Sequence, residues 1–394
     1  IGRTPHRAFE GLAETSVCNR KHAIGAVNPG FLRGHGACPT KTRGVGCDVW
    51  NDLDWRRSGR HRVRKTPTKP TGSHNKEREI AMIPASEIRR THELIGPFIR
   101  RTPIFEVAPS DFGLANDFRL FLKLELFQRS GSFKARGAAA NLSLRDVPPA
   151  GVAAASGGNH GAAVADAAAR RGLPATIFVP EIANPAKTDL IASTGARLVF
   201  AGQRYADALR KCLEHCADTG ALNIHAYDQR ETITGQATLG HEIDEQLKGL
   251  GQSADTILVA VGGGGLISGV SSWFGDTSRV VGVEPETSCA LNAALEAGAP
   301  VDVDVSGIAA DSLGARRIGE LNFAILRQNG VTAIKVRDDD IRAAQEQLWR
   351  THRIVAEPGG ATSLAALISG RYRPEPESRV CAIVCGGNTD AVTF

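Results

Sequence analysis

The feature that most constrains the fold is a repeated alternation of short apolar segments with longer helical patterns along residues 118–384. The short segments are apolar or alternate in polarity, as β-strands do, whereas the longer ones have the period of helices. Because short links join them, the pattern predicts parallel sheets with helices on their faces, which is the α/β class. The length of 394 residues predicts two such sheets.

The alternation assigns each segment. Strands are predicted over residues 118–126, 152–155, 175–179, 198–200, 222–224, 257–261, 280–283, 334–336 and 380–384. Helices are predicted over residues 160–171, 187–193, 205–217, 232–247, 266–274, 339–349 and 360–367. An earlier helix is predicted with Ser86 as its cap and with Ile88, Leu94 and Ile95 on its apolar face.

The first fifth of the chain has a different composition. Residues 1–81 contain 16 Lys and Arg against 7 Asp and Glu, whereas the remainder contains 31 against 35. Because the segment lacks both periods, residues 1–83 are predicted to be a disordered or non-native basic extension, and Met82, the only methionine, is predicted to be the true start. A nucleic-acid arm and an organelle transit peptide remain alternatives for this segment. The mildly acidic remainder predicts no nucleic-acid partner.

The spacing of the cysteines and the length of the apolar runs indicate the cellular compartment of the protein. The eight cysteines form no C-x-x-C pair and follow no signal peptide, which predicts a reduced, cytoplasmic protein. The longest uncharged run, residues 256–275, contains four consecutive glycines, so no membrane helix is predicted.

Four glycine-containing turns follow predicted strands, where ligands of parallel α/β proteins bind. They cover residues 130–137, 156–161, 262–266 and 385–388. The third turn removes side chains where a strand becomes a helix, so consecutive N–H groups can hold a phosphate. Because Glu284 follows about 20 residues later, where a dinucleotide-binding fold holds a ribose, a nicotinamide-dependent dehydrogenase remains an alternative.

Lys134 lies within the first of these turns, directly after Phe133 and at the expected mouth of a sheet. A lone lysine is most often a solvated surface residue. Partial burial here would lower the pKa of its amine and leave the amine nucleophilic. A phosphate cradle together with such an amine indicates pyridoxal 5′-phosphate, whose aldehyde forms a Schiff base with lysine.

In their order and approximate spacing, the four turns closely resemble those of the fold type II pyridoxal-phosphate enzymes, and most of all the threonine/serine dehydratases and serine racemases. The resemblance covers residues 84–394. It implies two parallel-sheet α/β domains with the cofactor between them. The large domain would comprise residues 84–149 and 229–394, and the small domain residues 150–228. A homodimer that acts on a small amino acid is also implied.

The resemblance further implies a role for each residue of the turns. Lys134 would form the Schiff base and remove the α-proton of the substrate. Phe133 would pack beside the cofactor ring, Asn159 would form a hydrogen bond to the ring hydroxyl group, and Cys385 would face the ring nitrogen. The substrate carboxylate would be held at Ser156, Gly157 and His160. The phosphate would be held by the backbone of Gly262, Gly263, Gly264, Gly265 and Leu266.

Two positions favour a dehydratase within this family. Cys385 is a neutral partner for the ring nitrogen, which favours prompt loss of a β-hydroxyl over long storage of a carbanion. Racemases of this type have a second serine where this chain has Gly157. The expected reaction converts L-threonine or L-serine into 2-oxobutyrate or pyruvate plus ammonia. A serine racemase, or another β-eliminating or β-replacing enzyme such as a 3-hydroxyaspartate dehydratase, remains the alternative.

The resemblance also bears on metals and substrate choice. The family's divalent-cation site begins at Glu284, but Ala290 stands where a carboxylate is expected, so no metal is predicted. Ser312 follows Asp311 where relatives commonly have glycine, which leaves the preferred substrate open. A short, catabolic enzyme without a C-terminal regulatory domain is expected.

Overall fold

In the computed structural model, which describes residues 82–391, ten strands form two separate sheets. The predictions made for residues 1–81 lie outside the described residues. Because both sheets are largely parallel and helices connect their strands, the predicted α/β class is confirmed.

The larger sheet has six strands in the order β1-β2-β10-β7-β8-β9. All neighbours are parallel except β1 and β2. The strands are β1 (Ile104–Val107), β2 (Arg119–Leu124), β7 (Thr256–Ala260), β8 (Arg279–Pro285), β9 (Thr332–Val336) and β10 (Arg379–Val384). The sequence analysis missed β1, a four-residue, partly exposed edge strand. The predicted strand at 118–126 ends at residue 124, because the next three residues form a turn of 3₁₀ helix.

The smaller sheet has four parallel strands in the order β5-β4-β3-β6. They are β3 (Val152–Ala155), β4 (Ala175–Val179), β5 (Arg197–Phe200) and β6 (Leu222–Asn223). We call this sheet with its helices α3, α4 and α5 the small module, and the six-stranded sheet with its helices the large module. The proposed domain boundaries at residues 150 and 228 stay a prediction.

Twelve α-helices occur within residues 82–391. They are α1 (Ala85–Ile95), α2 (Lys134–Leu144), α3 (Asn159–Ala169), α4 (Pro185–Ala192), α5 (Tyr205–Thr219), α6 (Arg230–Gly249), α7 (Gly265–Phe274), α8 (Ala290–Ala297), α9 (Ala310–Leu313), α10 (Glu320–Gln328), α11 (Asp338–His352) and α12 (Pro358–Ile368). The short helices α8, α9 and α10 were not predicted.

The first helix differs from its prediction in two details. Pro84 is the N-cap of α1, and Ser86 lies inside the first turn, so Ser86 is not the cap. Ile88 and Ile95 are fully buried as predicted, whereas Leu94 is 40% exposed. The buried face of α1 therefore follows Ile88, Thr91 and Ile95, at spacings of three and four residues.

Small apolar side chains join the helices to both sheets. Ala361 and Leu364 of α12 lie fully buried in the core of the large module. Ala163 and Ala165 of α3 do the same in the small module. Among the described residues, no helix is long and apolar enough to cross a membrane, and the uncharged run at 256–275 is divided between β7 and α7.

Candidate active site

The first and last of the four turns meet because they follow neighbouring parallel strands, β2 and β10. The backbone N–H of Phe133 donates to the carbonyl oxygen of Cys385 at 3.0 Å, and that of Gly387 donates to Gly131 at 3.0 Å. Gly131 has φ 74°, and a Cβ there would lie 2.0 Å from Oδ1 of Asn388. This turn therefore requires glycine.

The second turn joins them through Asn159 at the start of α3. Its side chain accepts a hydrogen bond from Nδ2 of Asn388 at 2.8 Å and donates one to Oε1 of Glu357 at 2.5 Å. Asn388 also donates to the carbonyl oxygen of Ser130 at 2.7 Å. The second turn is thereby bonded directly to the fourth turn, and the fourth turn is bonded to the first.

Lys134 is the first residue of α2, and its half-buried side chain lies between these turns and the small module. Its Nζ donates to the carbonyl oxygen of Ala226 at 2.7 Å and lies 5.1 Å from the ring centre of Phe133. Burial lowers the pKa of this amine to about 8, and Cys385 opposes the shift only weakly. Among the described residues, no carboxylate pairs with it. The amine is therefore available as a nucleophile and base near neutral pH.

The four glycines form a bend between β7 and α7 that side chains could not occupy. A Cβ on Gly263 would lie 2.4 Å from the ring of Tyr227, and one on Gly265 would lie 3.0 Å from Tyr227. Gly264 has φ 97°, which favours glycine. Nδ2 of Asn322 fixes the bend by donating to the carbonyl oxygen of Gly263 at 3.1 Å.

The bend opens directly into the first turn of α7, where Leu266 is buried. First-turn N–H groups have no carbonyl partner within their own helix, and a helix N-terminus attracts anions. A backbone cradle of this kind fits a phosphate group. The residues present therefore fit the anionic end of pyridoxal phosphate.

Cys385 follows β10 and is buried. Its Sγ donates to the carbonyl oxygen of Gly359 at 3.4 Å. Burial raises the pKa of this thiol well above its ordinary value, so it remains neutral. An uncharged group was expected at this position, and burial keeps the thiol uncharged.

The side chain of His160 differs from the expectation. Burial lowers its pKa to about 3, so the ring is neutral. Its Nε2 lies 2.9 Å from the carbonyl oxygen of Ile224, which can only accept, so Nε2 carries the ring's single N–H. The ring has no further N–H for a substrate carboxylate, although the backbone N–H of His160 in the first turn of α3 remains suited to one.

Ser156 and Gly157 lie between β3 and α3. Oγ of Ser156 accepts from the N–H of Gly158 at 3.2 Å. A Cβ on Gly157 would lie 2.5 Å from the Cβ of Ala183. A side chain at position 157 would therefore need the neighbouring loop to move.

Glu284 lies at the end of β8 and caps α8. Its carboxylate accepts from the backbone N–H groups of Leu291 at 2.7 Å and Asn292 at 2.8 Å, and from Nδ2 of Asn292 at 2.7 Å. Burial raises its pKa to about 7 against the effect of these donors. Both oxygens are thus engaged within the chain, which does not support a ribose-binding role. Ala290 begins α8, and no group of three potential metal ligands occurs within residues 82–391.

Three polar residues at the site were not predicted. Lys187 and Glu357 come from segments far apart in the sequence, so no local pattern predicts their contact. His225 lies one residue before the carbonyl group that holds Lys134, and its Nδ1 accepts from the backbone N–H of Asp228 at 2.9 Å. The sequence signal was only the polar stretch that precedes α6.

Known proteins are similar to this chain in sequence and in fold. The family described as "Pyridoxal-phosphate dependent enzyme" matches residues 95–386. A phenylserine dehydratase from Ralstonia pickettii is 38% identical over 304 residues, which cover 75% of this chain and 90% of that protein. The solved structure of maize serine racemase has a TM-score of 0.72 and 32% identity, covering 78% of this chain and 94% of the other. The solved structure of a T.th. threonine deaminase has a TM-score of 0.72 and 31% identity, covering 79% and 100%.

The chain belongs to the family of pyridoxal-phosphate-dependent enzymes, in the fold type II class. Pyridoxal phosphate is its cofactor. Within the family it is a threonine/serine dehydratase-like or serine racemase-like enzyme. The family resemblance inferred from the four turns is thereby confirmed.

Proposed function

We propose that this enzyme is an ammonia-lyase that converts L-threonine or L-serine into 2-oxobutyrate or pyruvate plus ammonia. The observation that carries the choice of lyase over racemase is Gly157. This position offers no side chain that could protonate the α-carbon from the face opposite Lys134. In addition, a Cβ at this position would lie 2.5 Å from the Cβ of Ala183.

The site residues that we assign follow from their positions. The phosphate is assigned to the backbone of Gly262, Gly263, Gly264, Gly265 and Leu266. The ring is assigned to Phe133, Asn159 and Cys385. The substrate carboxylate is assigned to Ser156, to the backbone at Gly157 and to the first-turn N–H groups of α3, including that of His160 but not its imidazole.

The cofactor, when bound, withdraws electrons from the α-carbon of the amino acid. Lys134 takes the α-proton on Nζ, which its low pKa makes competent near neutral pH. The N–H groups at the start of α3 orient the substrate carboxylate beside this amine. Departure of the β-hydroxyl as water and later hydrolysis yield the 2-oxo acid and ammonia, so the net reaction consumes no co-reactant.

The environment of Cys385 supports elimination in this proposal. A neutral thiol does not hold a proton on the ring nitrogen as a carboxylate would. Beside this thiol, the cofactor ring would withdraw electrons only moderately, which would favour prompt loss of the β-substituent.

The test uses the purified holoenzyme with L-threonine, L-serine, 3-phenylserine and 3-hydroxyaspartate. We expect release of 2-oxo acid and of an equal amount of ammonia from L-threonine and L-serine. Phenylserine is included because the phenylserine dehydratase is 38% identical to this chain. Accumulation of D-serine without 2-oxo acid would instead support a racemase, and turnover of phenylserine alone would correct the substrate.

Lys134→Ala provides the control for the whole series. We expect loss of turnover with every substrate, while the far-ultraviolet circular dichroism spectrum is retained. The predicted homodimer and cytoplasmic location are part of the same proposal, and sedimentation of the purified enzyme tests the former.

A further inference from the structure

A buried ion cluster beside Asn159 takes no part in the steps assigned so far. Lys187 of α4 is only 4% exposed. Its Nζ donates to Oε2 of Glu357 at 3.3 Å and to a carboxylate oxygen of Asp311. Glu357, the N-cap of α12, is 2% exposed, whereas the side chain of Asp311 is half-exposed. The buried ammonium group of Lys187 thus forms ion pairs with both carboxylates.

The cluster crosses from one module to the other. Lys187 belongs to α4 of the small module, while Glu357 and Asp311 belong to α12 and α9 of the large module. The side chain of Lys187 therefore links the two modules through its ion pairs. The position of α4 therefore decides whether Glu357 has a counter-charge.

Glu357 also determines how the side chain of Asn159 is oriented. Its Oε1 accepts from Nδ2 of Asn159 at 2.5 Å, while Oδ1 of Asn159 accepts from Asn388 at 2.8 Å. An ionised carboxylate can only accept, so the amide nitrogen of Asn159 must face Glu357. A Cβ on Gly386 would lie 2.0 Å from Oε1 of Glu357, so this close approach depends on a glycine.

Charge balance explains why Lys187 is needed. Burial raises the pKa of Glu357, and Lys187 and Asn159 oppose that shift. Burial lowers the pKa of Lys187, but Glu357 and Asp311 more than offset it, so the amine stays protonated. Removing one partner of a buried ion pair leaves an uncompensated charge, which is far more costly than removing both.

We propose that Lys187 and Glu357 are positioning residues that fix the carboxamide of Asn159 in the orientation required by the cofactor ring. Lys187 holds the Glu357 carboxylate in place, and Glu357 holds the amide nitrogen of Asn159. Because Lys187 comes from the small module, movement of α4 away from the large module releases Asn159. The alignment of the cofactor therefore depends on whether α4 lies close to the large module. The inference rests on the proposed function only in that Asn159 contacts the cofactor.

The experiment compares Lys187→Met, Glu357→Gln and the double variant Lys187→Met/Glu357→Gln, each purified without and with pyridoxal phosphate. The two measurements are the cofactor affinity of the apoprotein and the absorption band of the bound cofactor. Lys211→Met is the matched control, because Lys211 forms a 2.9 Å ion pair with Glu214 on the exposed face of α5. Neither measurement needs a substrate, so failure of the lyase proposal would not affect them.

Lys187→Met is expected to weaken cofactor binding about tenfold, the effect of losing one charge-assisted hydrogen bond, and to shift the absorption band. The double variant should recover part of the affinity because no uncompensated buried charge remains, since the side chain of Asp311 is half-exposed. The control should match the wild type in both measurements. Wild-type affinity and an unchanged band in both single variants would overturn the proposal, and Glu357→Gln decides alone if Lys187→Met does not fold.

A second comparison separates positioning from a general structural role. In an Asn159→Ala background, Glu357→Gln should have no further effect on cofactor affinity, because Glu357 acts through Asn159. An equal loss in both backgrounds would show that Glu357 acts by another route and would also overturn the proposal.

Discussion

The amine of Lys134 illustrates how burial prepares a single residue for chemistry. An ordinary lysine with a pKa of about 10.4 is almost entirely protonated at neutral pH. Because burial lowers this pKa to about 8 without a neighbouring carboxylate to oppose it, the unprotonated fraction near neutrality rises by roughly two orders of magnitude. The residue that we assign to the attack on the cofactor aldehyde is thereby kept reactive.

This environment predicts how cofactor loading depends on pH. Only the unprotonated amine attacks the aldehyde, so the loading rate of the apoprotein should rise up to about pH 8 and then level off. Stopped-flow absorbance after mixing with pyridoxal phosphate measures this rate. A rate that keeps rising through pH 10 would show that Lys134 has the pKa of an ordinary lysine. In Lys134→Ala the covalent band should not form at any pH.

Gly157 gives a second prediction for a single residue. Introducing a serine should supply an acid on the second face of the α-carbon, but its Cβ would lie 2.5 Å from that of Ala183. Gly157→Ser alone should therefore lower stability by about 1–3 kcal/mol, the usual cost of overpacking. Gly157→Ser/Ala183→Gly should regain that stability and form D-serine from L-serine. Chiral chromatography measures the product, with Ala183→Gly as control, and unchanged D-serine formation in the double variant would contradict the prediction.

At the scale of elements, Glu284 joins the end of β8 to the start of α8. Its pKa of about 7 in the folded protein lies above the ordinary value of 4.5. Between these values the folded protein binds a proton that the unfolded chain has lost. The stabilisation is therefore complete below about pH 4.5 and is lost as the pH rises through about 7.

Unfolding measurements across this window test the assignment. Relative to Glu284→Gln, which cannot titrate, the wild type should lose up to about 3 kcal/mol of unfolding free energy between pH 4.5 and 7.5. Glu286→Gln, at an exposed position on the same segment, should follow the wild type at every pH. Parallel curves for the wild type and Glu284→Gln would contradict the buried, titrating carboxylate.

Elements with a strong local pattern could be predicted, and those set by tertiary contacts could not. The apolar runs of β3 and β4 gave the observed boundaries, because both strands lie in the sheet interior. The edge strand β1 and the helix α9 have only four residues each, too few to show a period, whereas α8 and α10 were not predicted although they are at least as long as the predicted α4.

The residues of the candidate site could likewise be predicted only where they are adjacent in the sequence. Each glycine turn is encoded by adjacent residues, so its place at the end of a strand could be inferred. The contact between Lys187 and Glu357 joins residues 170 positions apart, and only the tertiary arrangement of the two modules creates it. For His160, the sequence predicted proximity to the site, but its hydrogen bond to the carbonyl oxygen of Ile224 could not be foreseen.

At the scale of the whole molecule, the groups that we assign to the cofactor and to the substrate come from both modules. Asn159 and Ser156 belong to the small module, whereas Lys134, the glycine bend and Cys385 belong to the large one. A ligand that contacts both favours the folded, closed arrangement over every state in which the modules separate.

Cofactor binding should therefore raise the unfolding temperature. At a free cofactor concentration a hundred times its dissociation constant, the stabilisation is about 2.7 kcal/mol, which corresponds to an increase of about 4 °C in a protein of this size. Differential scanning calorimetry of the apoprotein and holoenzyme measures it. Pyridoxal, which lacks the phosphate, should give a smaller increase, and an equal increase would contradict the assignment of the glycine bend.

The pairing of β2 with β10 has a consequence for synthesis of the protein. Leu124 and Val384 are partners across the large sheet although 260 residues separate them in the chain. A ribosome that adds about 5–20 residues per second needs roughly 13 to 50 seconds to travel between them. During that interval the nascent sheet lacks a central strand, and Lys134 has no Cys385 opposite it. A cofactor site that includes Cys385 is therefore complete only after translation has passed residue 385, and until then β2 and β7, which flank β10, present unpaired edges in the nascent sheet.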